Sequence, residues 1–95
     1  MQETNQKIPN KVSMSDMLSK IKSTTYTLLP NGKTTVCQII LENGFSIEGT
    51  SACVDIANYN KALGEKYSFE KAIDKMWELE GYLLTEKIYQ SNQEK

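Results

Sequence analysis

The dipeptide Asn43-Gly44 stands between two apolar-rich runs, Thr34–Glu42 and Phe45–Ser51. Asn-Gly between such runs is the strongest short-range signal for a tight β-hairpin, because both central residues of a type I′ turn need φ > 0. A two-residue loop pairs Glu42 with Phe45, Ile40 with Ile47 and Val36 with Ser51, and these pairs share one face. Upstream, Thr24–Leu29 is rich in β-branched and aromatic residues and reads as a strand. Pro30-Asn31-Gly32-Lys33 has turn chemistry, and a four-residue loop there pairs Leu29 with Thr34 and Tyr26 with Cys37. The meander then carries Leu29, Val36, Ile40, Phe45 and Ile47 on one face and Tyr26, Leu28, Cys37, Ile39 and Leu41 on the other. A sheet solvated on one side alternates more cleanly than that. The expectation is a cover for the second face: the N-terminal helix, another subunit, or both.

The flanks read as helices. Ser13 or Ser15 can cap a short helix running to about Lys22, with Met14, Met17, Leu18 and Ile21 as its apolar stripe. After Ser51-Ala52-Cys53-Val54-Asp55 the spacing turns helical, with Asn58 or Asp55 as N-cap. At about 100° per residue, Tyr59, Ala62, Leu63, Tyr67, Phe69, Ile73, Met76, Trp77, Leu83, Leu84 and Ile88 fall within half the circumference. Gly64 or Ser68 could interrupt this helix, and Gly81 is a second weak point. The fold expected is α+β: a short N-terminal helix, a three-stranded antiparallel β-meander, then a long C-terminal helix packed on the sheet. Residues 1–11 read as a flexible arm, 12–90 as a single domain and 91–95 as a frayed tail.

Composition narrows the function classes. Ninety-five residues make one small domain, whose modest core is often supplemented by oligomerisation. A net charge of −1 gives no electrostatic reason to expect a nucleic-acid polymer as partner. No apolar run approaches the length of a membrane span. Met1–Gln6 is polar and lacks a signal-peptide core, so a cytosolic protein is expected. Cys37 and Cys53 fall on opposite faces of the expected sheet and read as free thiols. The absence of histidine removes the commonest general base and the commonest zinc ligand together.

The chemistry-bearing residues are few. Gly32-Lys33-Thr34 resembles the end of a phosphate-binding loop, but Thr27 stands where its first glycine belongs and a strand follows instead of a helix. Glu78 and Glu80 are two apart on a helix and point in different directions, so they cannot share a proton path. Glu80 lies inside the apolar arc, either paired with a lysine or lining a pocket. Trp77 and Tyr82 could stack on a planar ligand, although Trp77 also suits the core and Tyr82 lies off the main arc. Asn58-Tyr59-Asn60 could bind a polar ligand, or could simply form the helix entry, with Asn58 capping and Tyr59 packing. Ser51 and Cys53 have no histidine partner, and Asp55, Glu70 and Asp74 lack metal-loop spacing. No catalytic residue, metal site or cofactor is expected, and the chain reads as a non-enzyme.

Cys37, Leu41-Glu42-Asn43-Gly44-Phe45, Gly49-Thr50-Ser51-Ala52-Cys53-Val54-Asp55, Ala57-Asn58-Tyr59, Leu63-Gly64, Ala72 and Trp77-Glu78-Leu79-Glu80-Gly81-Tyr82-Leu83-Leu84 together resemble a family of small tailed-phage accessory proteins named after phage gene products 49 and 66. The resemblance spans about Thr24 to Ile88. Ile56 stands where that family commonly has proline, and Tyr59 where it commonly has phenylalanine. The family carries no established catalytic residues, so none transfers. The resemblance implies an accessory protein acting in the cytoplasm of the infected bacterial host. Many small phage proteins of that kind counter host defence, some as oligomeric sponges for cyclic or cyclised nucleotide signals. The expected function is therefore a homo-oligomer that sequesters such a signal through Asn58, Tyr59, Trp77, Glu80 and Tyr82. The alternative is an inhibitor that binds a host protein directly.

Overall fold

The computed structural model describes residues 11–93. Most of the arm expected over 1–11, and the last two residues of the tail expected over 91–95, lie outside them. The element order is α1 (Met14–Leu18), β1 (Ile21–Leu28), β2 (Thr34–Leu41), β3 (Ser46–Ala52), a 3-10 turn (Ile56–Asn58) and α2 (Lys61–Gln93). The strands form one antiparallel sheet in the order β1-β2-β3. The α+β architecture is the one the sequence pattern implies.

Ser13 caps α1, its hydroxyl accepting from the Asp16 amide at 3.1 Å. The helix stops at Leu18, one turn short of the expected end. The β-branched run beginning at Ile21 joins the sheet instead, where Ile21 pairs with Leu41 and the Glu42 amide donates to the Lys20 carbonyl at 2.9 Å. The β1–β2 hairpin has the expected register, Tyr26 opposite Cys37. Its turn closes with the Gly32 amide donating to the Leu29 carbonyl at 2.9 Å, while the Asn31 side chain accepts from the Lys33 and Thr34 amides.

The β2–β3 hairpin differs from expectation by one residue. Ile39, not Ile40, lies opposite Ile47, and Val36 lies opposite Thr50. The loop has three residues: the Gly44 amide donates to the Leu41 carbonyl, and the Leu41 amide donates to the Phe45 carbonyl at 2.8 Å. Only Gly44 has positive φ, +91°, while Asn43 keeps negative φ and its side chain accepts from the Phe45 amide at 3.0 Å. Asn-Gly thus closes a type I turn followed by a left-handed glycine, the next commonest hairpin loop after the two-residue ones.

The shift moves Ile47 to the face of Cys37, Ile39 and Leu41, where all four are buried. The opposite face keeps Val36 and Ile40 half-buried among exposed Thr25, Gln38, Glu48 and Thr50, with Gln38 bonded to Glu48 across the strands at 2.9 Å. That face is an ordinary solvated one, so the sheet itself gives no reason to expect a covering subunit.

Helix α2 covers the inner face. Asn60 caps it, its side chain accepting from the Leu63 amide at 3.1 Å, whereas Asp55 caps the 3-10 turn and Asn58 caps neither. The helix runs unbroken through Gly64, Ser68 and Gly81 to Gln93. Small residues let it lie close to the sheet. A Cβ on Gly49 would collide with the Ala72 amide and the Ser68 carbonyl, and one on Gly64 would stand 2.5 Å from the Thr35 hydroxyl. Buried Ser68, Ala72, Ile73 and Met76 face the strands, joined in the core by Met17. Several large side chains expected in the core flank this contact instead: Leu63 and Tyr67 are each 44% exposed.

Candidate functional site

The five residues singled out in the sequence do not converge on one site. Asn58 and Tyr59 line a cleft of about 200 Å³ between the end of β3 and the start of α2. Trp77 lines an open apolar groove of about 490 Å³ between α1 and α2, with Met14, Leu18, Tyr26, Phe69 and Ile73. Glu80 lines a third cavity, where its carboxylate accepts from Lys20 Nζ at 2.7 Å. Tyr82, 70% exposed, lines none of these three. Glu80 is therefore a lysine-paired carboxylate at a cavity edge, with only 14% of its side chain exposed.

The cleft at Asn58 and Tyr59 has the most varied chemistry. The 3-10 turn fixed by Asp55 presents Asn58, and Tyr59 follows in extended backbone before Asn60 starts α2. Tyr67, one turn beyond Leu63, supplies a second aromatic wall. Across the opening, Lys33 is drawn in by its Nζ donating to the Val54 carbonyl at 3.2 Å. The backbone there is pinned by the Cys53 amide donating to the Lys33 carbonyl at 3.0 Å. Two phenol rings, a side-chain amide and an ammonium group thus face one small space. The arrangement can stack on a planar group, hydrogen-bond its edge and neutralise an anion.

Sequence reasoning missed Lys33 and Tyr67 as neighbours of this cleft. Tyr67 carried a signal, since Leu63 and Tyr67 are four apart on one helix face. Lys33 carried none, because the contact spans 21 residues. Electrostatics around the helix start are local. Lys61 is held above its ordinary pKa by a hydrogen bond and charge from Glu65, 2.7 Å away. Burial, then the nearby Cys37 and Glu65 charges, push the Tyr26 phenol up, and burial alone pushes the Cys37 thiol up.

Among the described residues, no three His, Cys, Asp or Glu side chains are grouped to hold a metal ion, and no helix is long and apolar enough to cross a membrane. Three of the stretches that carry the family resemblance meet at the cleft, through Ser51-Ala52-Cys53, Asn58-Tyr59 and Leu63-Gly64. No curated protein and no solved structure matches the chain. Residues 6–88 match the family described as "Phage protein (N4 Gp49/phage Sf6 gene 66) family". With most of its length covered by that match, the chain belongs to this phage protein family.

Proposed function

We propose that the chain is a non-enzymatic phage accessory protein that counters host defence by sequestering a cyclic or cyclised nucleotide signal as a homo-oligomer in the host cytoplasm. The observation that carries this reading is the cleft of Lys33, Asn58, Tyr59 and Tyr67. Stacking needs an aromatic face, base-edge recognition a paired donor and acceptor, and a phosphate a cation; the cleft offers all three. Its volume of about 200 Å³ is below the ~300–1,000 Å³ usual for small-molecule sites. A second subunit closing over it would supply the remaining wall, which is the reason for the oligomer in this proposal.

The test is calorimetry of the full chain against a panel of cyclic dinucleotides and cyclic ADP-ribose isomers. Binding of one of them, weakened about tenfold or more by Tyr59→Ala, is the expected result, since one base–aromatic stack contributes roughly 1–3 kcal/mol. Absence of heat with every member of the panel would sink the reading.

A second reading, direct inhibition of a host protein, is favoured by another observation. Phe45, Leu79 and Tyr82 are 53%, 43% and 70% exposed on the hairpin tip and the adjoining helix face. Aromatic residues of that kind are enriched at protein interfaces. Under this reading an affinity pull-down from infected cells recovers one host protein in stoichiometric amount, and Tyr82→Ala with Leu79→Ala abolishes the recovery.

A further inference from the structure

The chain has five glycines, and the fold accounts for four. Gly32 and Gly44 take positive φ in turns, and Gly49 and Gly64 admit the close helix–sheet contact. Gly81 does neither. It sits inside α2, and a Cβ there would meet nothing within 4 Å. A glycine in a helix interior costs about 1 kcal/mol relative to alanine. Nothing within the described residues offsets that cost.

The neighbours of Gly81 say what its missing side chain admits. Ile73, Trp77, Gly81, Leu84 and Ile88 lie within an arc of about 80° on α2 at 100° per residue. Ile73 and Ile88, and Trp77 and Leu84, are spaced symmetrically about the midpoint between Glu80 and Gly81. An antiparallel copy centred there sets Gly81 level with Glu80 of the other copy, Trp77 level with Leu84 and Ile73 level with Ile88. Asp74 comes level with Lys87, so opposite rather than like charges flank the seam. Such self-complementarity is what a two-fold interface requires. Trp77 lines an open apolar groove, to which the core residue Ile73, 7% exposed, contributes only its edge, and Leu84 lines an open cavity. Beyond Glu80 no residue of α2 is buried, although the helix continues to Gln93.

We propose that two copies of this chain pair through α2, antiparallel, with the helices crossing at Gly81. The inference rests on the preceding reading only in its homo-oligomeric part. The glycine lets the two backbones approach at the crossing point, while Trp77 of each copy packs toward Leu84 of the other.

The test is the mass of the full chain in solution, without ligand, by sedimentation equilibrium over a wide concentration range. The expected result is a reversible dimer. Gly81→Leu should raise its dissociation constant about tenfold or more, a change of about 1.4 kcal/mol. Its melting temperature, measured on the dissociated chain, should stay level or rise, because the new side chain meets open space. Ile88→Lys should also weaken the dimer, while Tyr82→Ala, off the stripe, should leave it unchanged. A monomer at every concentration, or a dimer indifferent to Gly81→Leu, overturns the proposal. A dimer without nucleotide heat leaves this pairing standing and removes the ligand; heat from a persistent monomer does the reverse.

Discussion

At the scale of single residues, the closest fit in the molecule is made by what is missing from side chains. Gly49 and Gly64 let the α2 backbone lie against the sheet. Hydrophobic periodicity cannot reveal this, because it weighs large side chains and treats glycine and serine as interruptions. That is why Gly64 and Ser68 looked like breaks, although Ser68 is fully buried in the contact. Gly49→Ala is expected to destabilise the fold by about 3 kcal/mol or more, because its Cβ meets helix backbone that cannot turn aside. With the Tyr59 ring at ordinary contact distance, Gly64→Ala collides only with the Thr35 side chain, whose buried hydroxyl has no hydrogen-bond partner. Its cost should therefore fall by about 1 kcal/mol or more when Thr35→Ala is made in the same chain. Urea denaturation of the two single variants and the double variant measures that coupling. Additive costs would mean that the helix shifts as a body.

At the scale of elements, the two hairpins show what a turn signal can and cannot specify. Pro30-Asn31-Gly32-Lys33 gave the β1–β2 register directly, because proline fixes where the turn begins. Asn43-Gly44 marked the second turn but did not count its loop residues. Asn-Gly serves either as two left-handed residues or as a right-handed asparagine followed by a left-handed glycine, and here Glu42 enters the loop as its first residue. One residue of slip exchanges faces, which is how Ile47 came to the core and the outer face became polar. The candidate site was less legible than the sheet, since its members meet through tertiary packing of the β1–β2 turn, the end of β3 and the start of α2. Among the described residues, one ion pair also joins separate elements, Lys20 of the α1–β1 junction to Glu80 of α2 at 2.7 Å. Lys20 is 41% exposed in its side chain, so screening limits what the pair contributes. Glu80→Ala is expected to cost about 1 kcal/mol or less in urea denaturation, and nearly nothing when Lys20→Ala is already present. A much larger loss would mean that Glu80 holds the wall of its cavity in some further way.

At the scale of the whole molecule, the described residues measure 60 × 21 × 20 Å with a radius of gyration of 17.6 Å. A compact chain of this length has about 12 Å. Helix α2, about 50 Å long at 1.5 Å per residue, is the cause. Its first half closes the core and its second half extends past it, so stability resides at one end. The two groups with raised acid pKa values, Cys37 and Tyr26, belong to that end and lie opposite each other in the sheet. Both are neutral when protonated, and both hold their protons more tightly folded than unfolded. The folded chain thus binds more protons, and the linkage stabilises it below the unfolded pKa values, near the ordinary 9.0 for the thiol and 10.0 for the phenol. That contribution is lost as pH rises through the folded values. Thermal melts should therefore show stability falling progressively above about pH 9, and Cys37→Ala should flatten the first part of that fall. A thiol reagent checks the same burial near neutral pH: half-exposed Cys53 should react in the native state and fully buried Cys37 only on unfolding. Two thiols reacting together without denaturant would mean that the core end opens readily, and the alkaline loss of stability would then have a different origin.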